Sequence, residues 1–191
     1  MSCGVFQDLR DYRLLKANER IDDLLTHDLK IIQSDEVFCF SLDAVLLARF
    51  CTVPAKGTIL DLCTGNGVIP LLLSTRTKAN IVGVEIQEKL YDMARRNVAL
   101  NRLENQIEMV WGDLRTFHSP AMNEMFDLVT VNPPYLPAHA GLQNMNPYVA
   151  AARHELYCTL EDVLAAASKL VRFGGKVAMV HRPSRLADII T

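Results

Sequence analysis

With 191 residues, half of them hydrophobic and 22% charged, the chain can bury one full core and is too apolar to be disordered. A formal net charge of −2 leaves no overall basic footprint for nucleic acid; only residues 144–191 are basic, six bases against four acids, a balance that an ordinary solvated surface also produces. Five cysteines (Cys3, Cys39, Cys51, Cys63 and Cys158) without a CxxC spacing argue against a disulfide framework and a metal site, and fit reduced thiols in a cytoplasmic protein. Asp8, Arg10, Asp11 and Arg13 interrupt the N-terminus where a secretory signal needs an apolar run, and no stretch approaches the ~18 apolar residues of a membrane span.

In chain order, residues 20–40 read as short strands or loop packing on an edge. Ser41 is placed to cap a helix carrying Leu42, Val45, Leu46 and Phe50. From Thr58 onward, short apolar runs alternate with helical patterns, the mark of an α/β domain with a parallel sheet. Strands are predicted at Thr58–Leu62, Asn80–Glu85, Gln106–Trp111, Phe126–Asn132 and Lys176–His181. All are continuous apolar runs of the kind covered on both faces. Between them, Val68–Thr75 follows a glycine turn, and Gln87–Asn101 repeats Leu90, Met93, Ala94 and Val98 at helical spacing. Thr159-x-x-Asp162 opens a further helix as a capping box, with Gly174-Gly175 expected to stop it. Strand five is followed by Pro183 and a last helix. It would be a bare apolar edge, so the chain is expected to be cut short or covered there by another surface. The lone Trp111 and His181 read as core and edge residues.

Four motifs lie at the ends of successive strands. Asp61-Leu-Cys-Thr-Gly-Asn-Gly67 is a strand-to-helix turn. Its glycines let a ligand approach the backbone, and the helix that follows offers unpaired N–H groups. A two-glycine turn is otherwise an ordinary tight turn; its place after a buried strand favours the binding reading. Glu85 closes the next strand, 24 residues after Asp61, where a carboxylate accepts both hydroxyl bonds of a ribose; taken alone it is also a normal first-turn helix acid. Gly112-Asp113 follows strand three and would be a plain turn outside this series. Asn132-Pro-Pro-Tyr135 follows strand four. Its prolines carry no N–H, so their carbonyls and the Asn132 amide oxygen are free acceptors, and Tyr135 adds a flat face. Two acceptors and an aromatic platform suit a planar –NH2 group. All four motifs point to one crevice at the carboxyl edge of the sheet.

In this order, Asp61–Gly67, Glu85, Asp113 and Asn132–Tyr135 resemble the motifs of the Rossmann-like class I methyltransferases that act on a planar amine or amide nitrogen. Glu19-Arg-Ile-Asp-Asp-Leu24, Gln33, Phe38-x-Phe-Ser-Leu-Asp-Ala-Val-Leu-Leu-Ala48 and Ala152-Arg-His-Glu155 extend the resemblance to the bacterial tRNA (adenine-N6)-methyltransferases that modify valine tRNA near its anticodon. The resemblance implies S-adenosylmethionine as cofactor, an RNA substrate, no metal and no membrane. By it, Asp61 with Cys63, Gly65 and Gly67 would hold the methionine end, Glu85 the ribose and Asp113 the adenine. Phe38 and Asp43 would close over the cofactor, while Asn132, Pro133 and Tyr135 would clamp the acceptor amine. Residues 1–57 would be an N-terminal segment packed on the cofactor site, and 58–191 a catalytic domain without its last two strands. The family's commoner first motif has a third glycine where this chain has Cys63, so a less open loop is expected there.

Residues 136–153, with Asn144, Asn146, Pro147 and Tyr148, form a long irregular stretch expected to shape the acceptor pocket; His154 reads as a surface or capping residue. Three alternatives compete. A protein glutamine-N5 methyltransferase would use the same Asn-Pro-Pro-Tyr, but usually carries a helical recognition domain ahead of the catalytic one. A non-catalytic module of the same fold that binds RNA or a protein partner fits the missing C-terminal strands but has no use for an intact Asn132–Tyr135. A nicotinamide-dependent oxidoreductase needs the full Gly-x-Gly-x-x-Gly spacing, which this chain lacks.

Overall fold

A computed structural model describes residues 12–37, 39–118, 125–136, 148, 150–151 and 155–190. The predicted alternation produces a five-stranded sheet from β3 (Thr58–Leu62), β4 (Asn80–Glu85), β5 (Ile107–Trp111), β6 (Phe126–Val131) and β7 (Val171–Met179), preceded by a hairpin of β1 (Glu19–Asp23) and β2 (Lys30–Ser34). The sheet order is β5-β4-β3-β6-β7 with every neighbouring pair parallel, a Rossmann-like arrangement. The chain steps outward from β3 to β5 and then returns to β6 on the other side. The order therefore reverses between β3 and β6, where open sheets leave a crevice at their carboxyl ends.

The inner strands β3, β4 and β6 are covered on both faces, which explains their unbroken apolar runs, whereas the edge strand β7 is mostly exposed and β5 partly so, against the expectation for all five. Ile59, Ile81, Ile107 and Leu128 point to the side carrying α1 (Leu42–Phe50), α2 (Val68–Ser74) and α3 (Glu88–Leu100). Leu60, Leu62, Val129 and Val131 face α4 (Leu160–Leu170), through Val163, Ala167 and Leu170. The capping box of α4 is formed: Thr159 Oγ1 accepts from Asp162 N at 3.2 Å, and the Asp162 carboxylate accepts from Thr159 N at 3.0 Å. A 3-10 turn (Pro183–Arg185) and α5 (Leu186–Ile190) follow β7.

Three local expectations are corrected. Helix α1 buries Ala44, Leu47 and Ala48, leaving Leu42, Leu46 and Phe50 exposed, and Ser41 makes no side-chain cap bond. Small residues let α1 lie close to α2, so the larger apolar stripe turns outward. Gly174-Gly175 does not stop the preceding helix, which already ends at Leu170. The glycines lie inside β7, where the pairing jumps from Phe126↔Val171 to Leu128↔Lys176. Gly174 takes φ +74°, and a Cβ on Gly175 would come within 3.0 Å of the Phe126 carbonyl, so the pair makes a bulge only glycines fit. Trp111 is not a core residue. It is 56% exposed at the end of β5, with Nε1 donating to the Ile86 carbonyl at 3.0 Å and its ring stacked on Tyr91.

The hairpin docks on α3 through side chains that imitate a strand. Asn97, fully buried, accepts from Ile32 N through Oδ1 at 2.5 Å and donates through Nδ2 to the Ile32 and Asn66 carbonyls. One turn later, Asn101 exchanges the same pair of bonds with Lys30. Arg96 forks onto Glu19 at 2.6 and 2.7 Å and also donates to the Leu14 carbonyl. These contacts fix the hairpin ahead of α1, whose first turn reaches the carboxyl edge of the sheet.

Candidate active site

At that edge lies a cavity of about 280 Å³. Its walls come from the start of α1 (Phe40, Asp43), the loop after β3 (Cys63–Asn66), the end of β4 (Glu85–Gln87), the turn after β5 (Gly112–Leu114) and the loop after β6 (Asn132–Leu136). Five separate elements thus bring the predicted residues to one place.

The loop after β3 turns sharply. Gly67 N donates to the Thr64 carbonyl at 3.0 Å, and Thr64 N reaches across to Val84 O at 3.1 Å. Cys63 adopts φ +57°, the left-handed region that favours glycine. This is the physical reason a glycine is common at that position. At Gly65 (φ +58°) an added Cβ would meet nothing within 4 Å, so the loop faces open space. Gly67 instead sits behind the wall against Met109 and Ala94, where it starts α2. Asp61 is not a wall residue either. It is completely buried under the loop, its Oδ1 accepting from the Thr130 hydroxyl at 2.6 Å, and burial pushes its carboxyl up to about 7.

Glu85 does face the cavity. Its Oε2 accepts from Gly65 N at 2.8 Å and its Oε1 from Gln87 N at 2.9 Å. Each oxygen keeps a lone pair. Burial raises the Glu85 pKa even though these amides stabilise the charge. Nearby, Asn66 Nδ2 and Gln87 Oε1 are buried without a hydrogen-bond partner, so this wall offers a free donor and a free acceptor. Asp113 lines the next side. Arg115 clasps its carboxylate through Nε at 3.0 and 2.9 Å and through Nη2, holding its pKa low.

On the far wall Asn132 follows β6, and the Tyr135 hydroxyl donates to its Oδ1 at 2.5 Å, with Asp43 Oδ2 3.4 Å away. Burial raises the Tyr135 pKa, with the Asp43 charge adding to it, so the phenol stays protonated. The Tyr135 ring meets the edge of His181 at 5.2 Å between centroids. His181, expected as a plain edge residue, lies beyond the end of β7 and is kept neutral by burial. Phe38, Asn144, Asn146, Pro147 and His154 lie outside the described residues. Tyr148 is exposed, its ring 5.3 Å from Lys89 Nζ. Sequence reading missed Asn66, Gln87, Tyr157, Cys158 and Arg182 in the walls. Asn66, Gln87 and Arg182 had a usable signal, because each follows the carboxyl end of a strand.

The family model of the methyltransferase small domain matches residues 28–187. The chain belongs to the methyltransferase small domain family. It is 31% identical to the tRNA1(Val) (adenine(37)-N6)-methyltransferase of Aeromonas salmonicida over 150 residues, 78% of this chain and 61% of that protein. Against the protein of the same name from Bacteroides thetaiotaomicron it is 33% identical over 148 residues, 76% and 60% of the two chains. This small-domain chain thus spans about three fifths of the length of these curated relatives. Among solved structures, the Pyrococcus abyssi tRNA (uracil-54, C5)-methyltransferase in complex with S-adenosyl-L-homocysteine superposes with a TM-score of 0.50. It is 27% identical and covers 63% of this chain and 29% of that one.

Proposed function

We propose that the chain transfers a methyl group from S-adenosylmethionine to N6 of an adenine in RNA, with tRNA the leading substrate. The observation that carries this reading is the shared cavity. Asn132, Pro133 and Tyr135 open into the same space as Gly65 and Glu85, so an amine clamp faces a nucleoside-binding wall. The names of the relatives support the same acceptor, and the complex of the Pyrococcus protein supports the cofactor.

The donor set fits the cofactor: the free lone pairs of Glu85 suit a ribose diol, and the unpartnered Asn66 amide suits a carboxylate. Gly65 leaves its side of the loop open, while Asp61 lies sealed beneath it, bonded to Thr130 of β6, and would not touch the cofactor. Asp113, whose two oxygens each take two contacts from Arg115, would turn one of them to the adenine edge by loosening that clasp. When bound, the cofactor supplies an electrophilic methyl on a sulfonium. The work left to the protein is mainly positioning, and that can lower the barrier by several kcal/mol.

The amine of adenine is a weak nucleophile because its lone pair is delocalised into the ring. Donating both hydrogens to Asn132 Oδ1 and the Pro133 carbonyl would make the nitrogen more tetrahedral and aim the lone pair. Tyr135 would stack the base once its hydroxyl releases Asn132. The methylated nitrogen is acidic, so water can take its proton without a dedicated base. The target base must leave its stack, which favours a loop or single strand as RNA context.

Transfer of labelled methyl to unmodified tRNA, followed by nucleoside analysis, tests the proposal. Labelled N6-methyladenosine is expected; label in protein, in another nucleoside, or nowhere despite bound cofactor overturns it.

A further inference from the structure

Three stretches of chain are tied into one wall at the acceptor end of the cavity. Val180 N donates to the Val131 carbonyl at 3.2 Å, so the chain leaving β7 runs beside the chain entering Asn132, and His181 then meets the Tyr135 ring. Arg182 comes next and lines the cavity with Asn132, Pro133 and Tyr135. A 3-10 turn fixes its backbone, with Arg185 N donating to the Arg182 carbonyl at 3.0 Å. Arg185 Nη1 donates in turn to Glu155 Oε1 at 3.0 Å, and Glu155 N donates to the Leu136 carbonyl at 2.7 Å, just past Tyr135. Tyr157, two residues after Glu155, lines the same cavity and is 49% exposed.

Charge sets Arg182 apart in this wall. Among the described residues lining the cavity, the charged ones are the acids Asp43, Glu85 and Asp113, and Arg182. Arg185 is taken up by Glu155 and Asp188, and Arg115 by Asp113. The Arg182 guanidinium is exposed and has no hydrogen-bond or ion-pair partner among the described residues. An unpaired surface arginine is ordinarily just solvated. This one stands at a mouth whose acids would otherwise repel an anion. It follows β7, three places from β4 in the sheet, so at ordinary strand spacing it is about 14 Å from the strand that carries Glu85. It therefore belongs to the acceptor end and not to the ribose end.

We propose that Arg182 forms a phosphate-binding subsite: its guanidinium takes the phosphodiester beside the target nucleotide, and Tyr157 stacks a neighbouring base. The planar fork of N–H donors matches two phosphate oxygens at once. Stacking on an exposed aromatic tolerates any base, so the pair fixes the strand without reading its sequence. A nucleotide in a strand brings a phosphate on either side of its sugar, whereas a glutamine amide brings none. Arg182 thus selects the acceptor class at the site where the clamp selects the amine. The subsite deepens the adenine reading of the cavity and rests on it.

The full chain, Arg182→Gln, Arg182→Lys and Tyr157→Leu would be compared in methyl transfer to unmodified tRNA and in equilibrium binding of that tRNA across a salt series. S-adenosylmethionine affinity would be measured alongside by calorimetry. Arg182→Gln should raise KM and weaken tRNA binding by about tenfold, with kcat and cofactor affinity within about twofold of the parent. Its slope of log affinity against log salt should be shallower by about 0.7, one phosphate contact fewer. Arg182→Lys should keep the parent slope and recover part of the affinity. Tyr157→Leu should weaken binding by about tenfold at an unchanged slope, because stacking releases no counterion. Parent-like tRNA binding by Arg182→Gln overturns the proposal. So does a loss at the parent slope, or an equal loss of cofactor affinity, since either marks a merely structural role. Parent-like binding by Tyr157→Leu removes the stacking half. Methylated adenine with no difference between parent and Arg182→Gln leaves the functional reading and removes the subsite. A parent that binds tRNA with these differences but methylates no adenine does the reverse, and one that neither binds nor methylates tRNA overturns both.

Discussion

Tyr135 places its hydroxyl on Asn132 Oδ1, the side-chain acceptor of the proposed amine clamp. On that proposal, substrate would compete with this bond. A neutral hydrogen bond is worth about 1 kcal/mol, or about fivefold. Tyr135→Phe keeps the ring and should lower KM for the acceptor by about that factor in steady-state assays; an unchanged KM would show that the hydroxyl does not compete. Asn132→Ala should abolish transfer while cofactor affinity stays within about twofold, because the lost bonds belong to the acceptor alone. Full turnover by that variant removes Asn132 from the clamp. Glu85→Ala should weaken S-adenosylmethionine binding by about tenfold or more in calorimetry, since a charged acceptor is lost. Unchanged affinity takes Glu85 out of the ribose site. These side chains were legible because each stands at a strand end, where type and position say the same thing. The clasp of Arg115 on Asp113 and the sealed place of Asp61 were not, because sequence shows which acid is at an edge but not which neighbour has taken it.

Helix α3 does the most to place the N-terminal segment, and it does so with amides. Asn97→Ala would leave Ile32 N–H and two carbonyls unpaired in a buried site, a loss of about 3 kcal/mol in urea unfolding. A loss below about 1 kcal/mol would show that the Arg96–Glu19 fork holds the hairpin by itself. Periodicity found α3 to within a residue at each end, yet it treats Asn97 as a polar interruption of an apolar face. Only the neighbouring strand turns that interruption into a match. Gly174-Gly175 misled for a related reason: glycines after a helix usually end it, but here the helix had already ended and the pair bends β7 around Phe126. In α1 the residues that marked the helix are not the ones that seat it: Ala44, Leu47 and Ala48 are buried, while Leu42, Leu46 and Phe50 stay exposed.

Across the whole molecule, the buried carboxyls set how stability follows pH. Asp61, raised to about 7, and Glu85, also raised, bind protons more tightly in the folded chain than in the unfolded one. Stability from these groups is therefore full below about pH 4, the unfolded carboxyl range, and lost as pH rises to and through 7. His181, lowered by burial, acts in the opposite sense. Comparison with Asp61→Asn, which keeps the acceptor for Thr130, isolates the first effect. By calorimetry the variant should gain on the parent chain by a few kcal/mol between pH 5 and pH 8; parallel curves would show that Asp61 does not titrate there. The reversal of strand order between β3 and β6 was implicit in the motif positions, since the glycine loop and the Asn-Pro-Pro-Tyr loop follow those two strands. The amide ladder from α3 to β2 has a further consequence for the order of events during synthesis. Ile32 leaves the ribosome 65 residues before Asn97, an interval of about 3–13 s at ordinary elongation rates. For that time the hairpin has no α3 to dock on, and Phe40 and Asp43 have no finished sheet edge to cover. The wall of the cavity that is made first is thus among the last to be set in place.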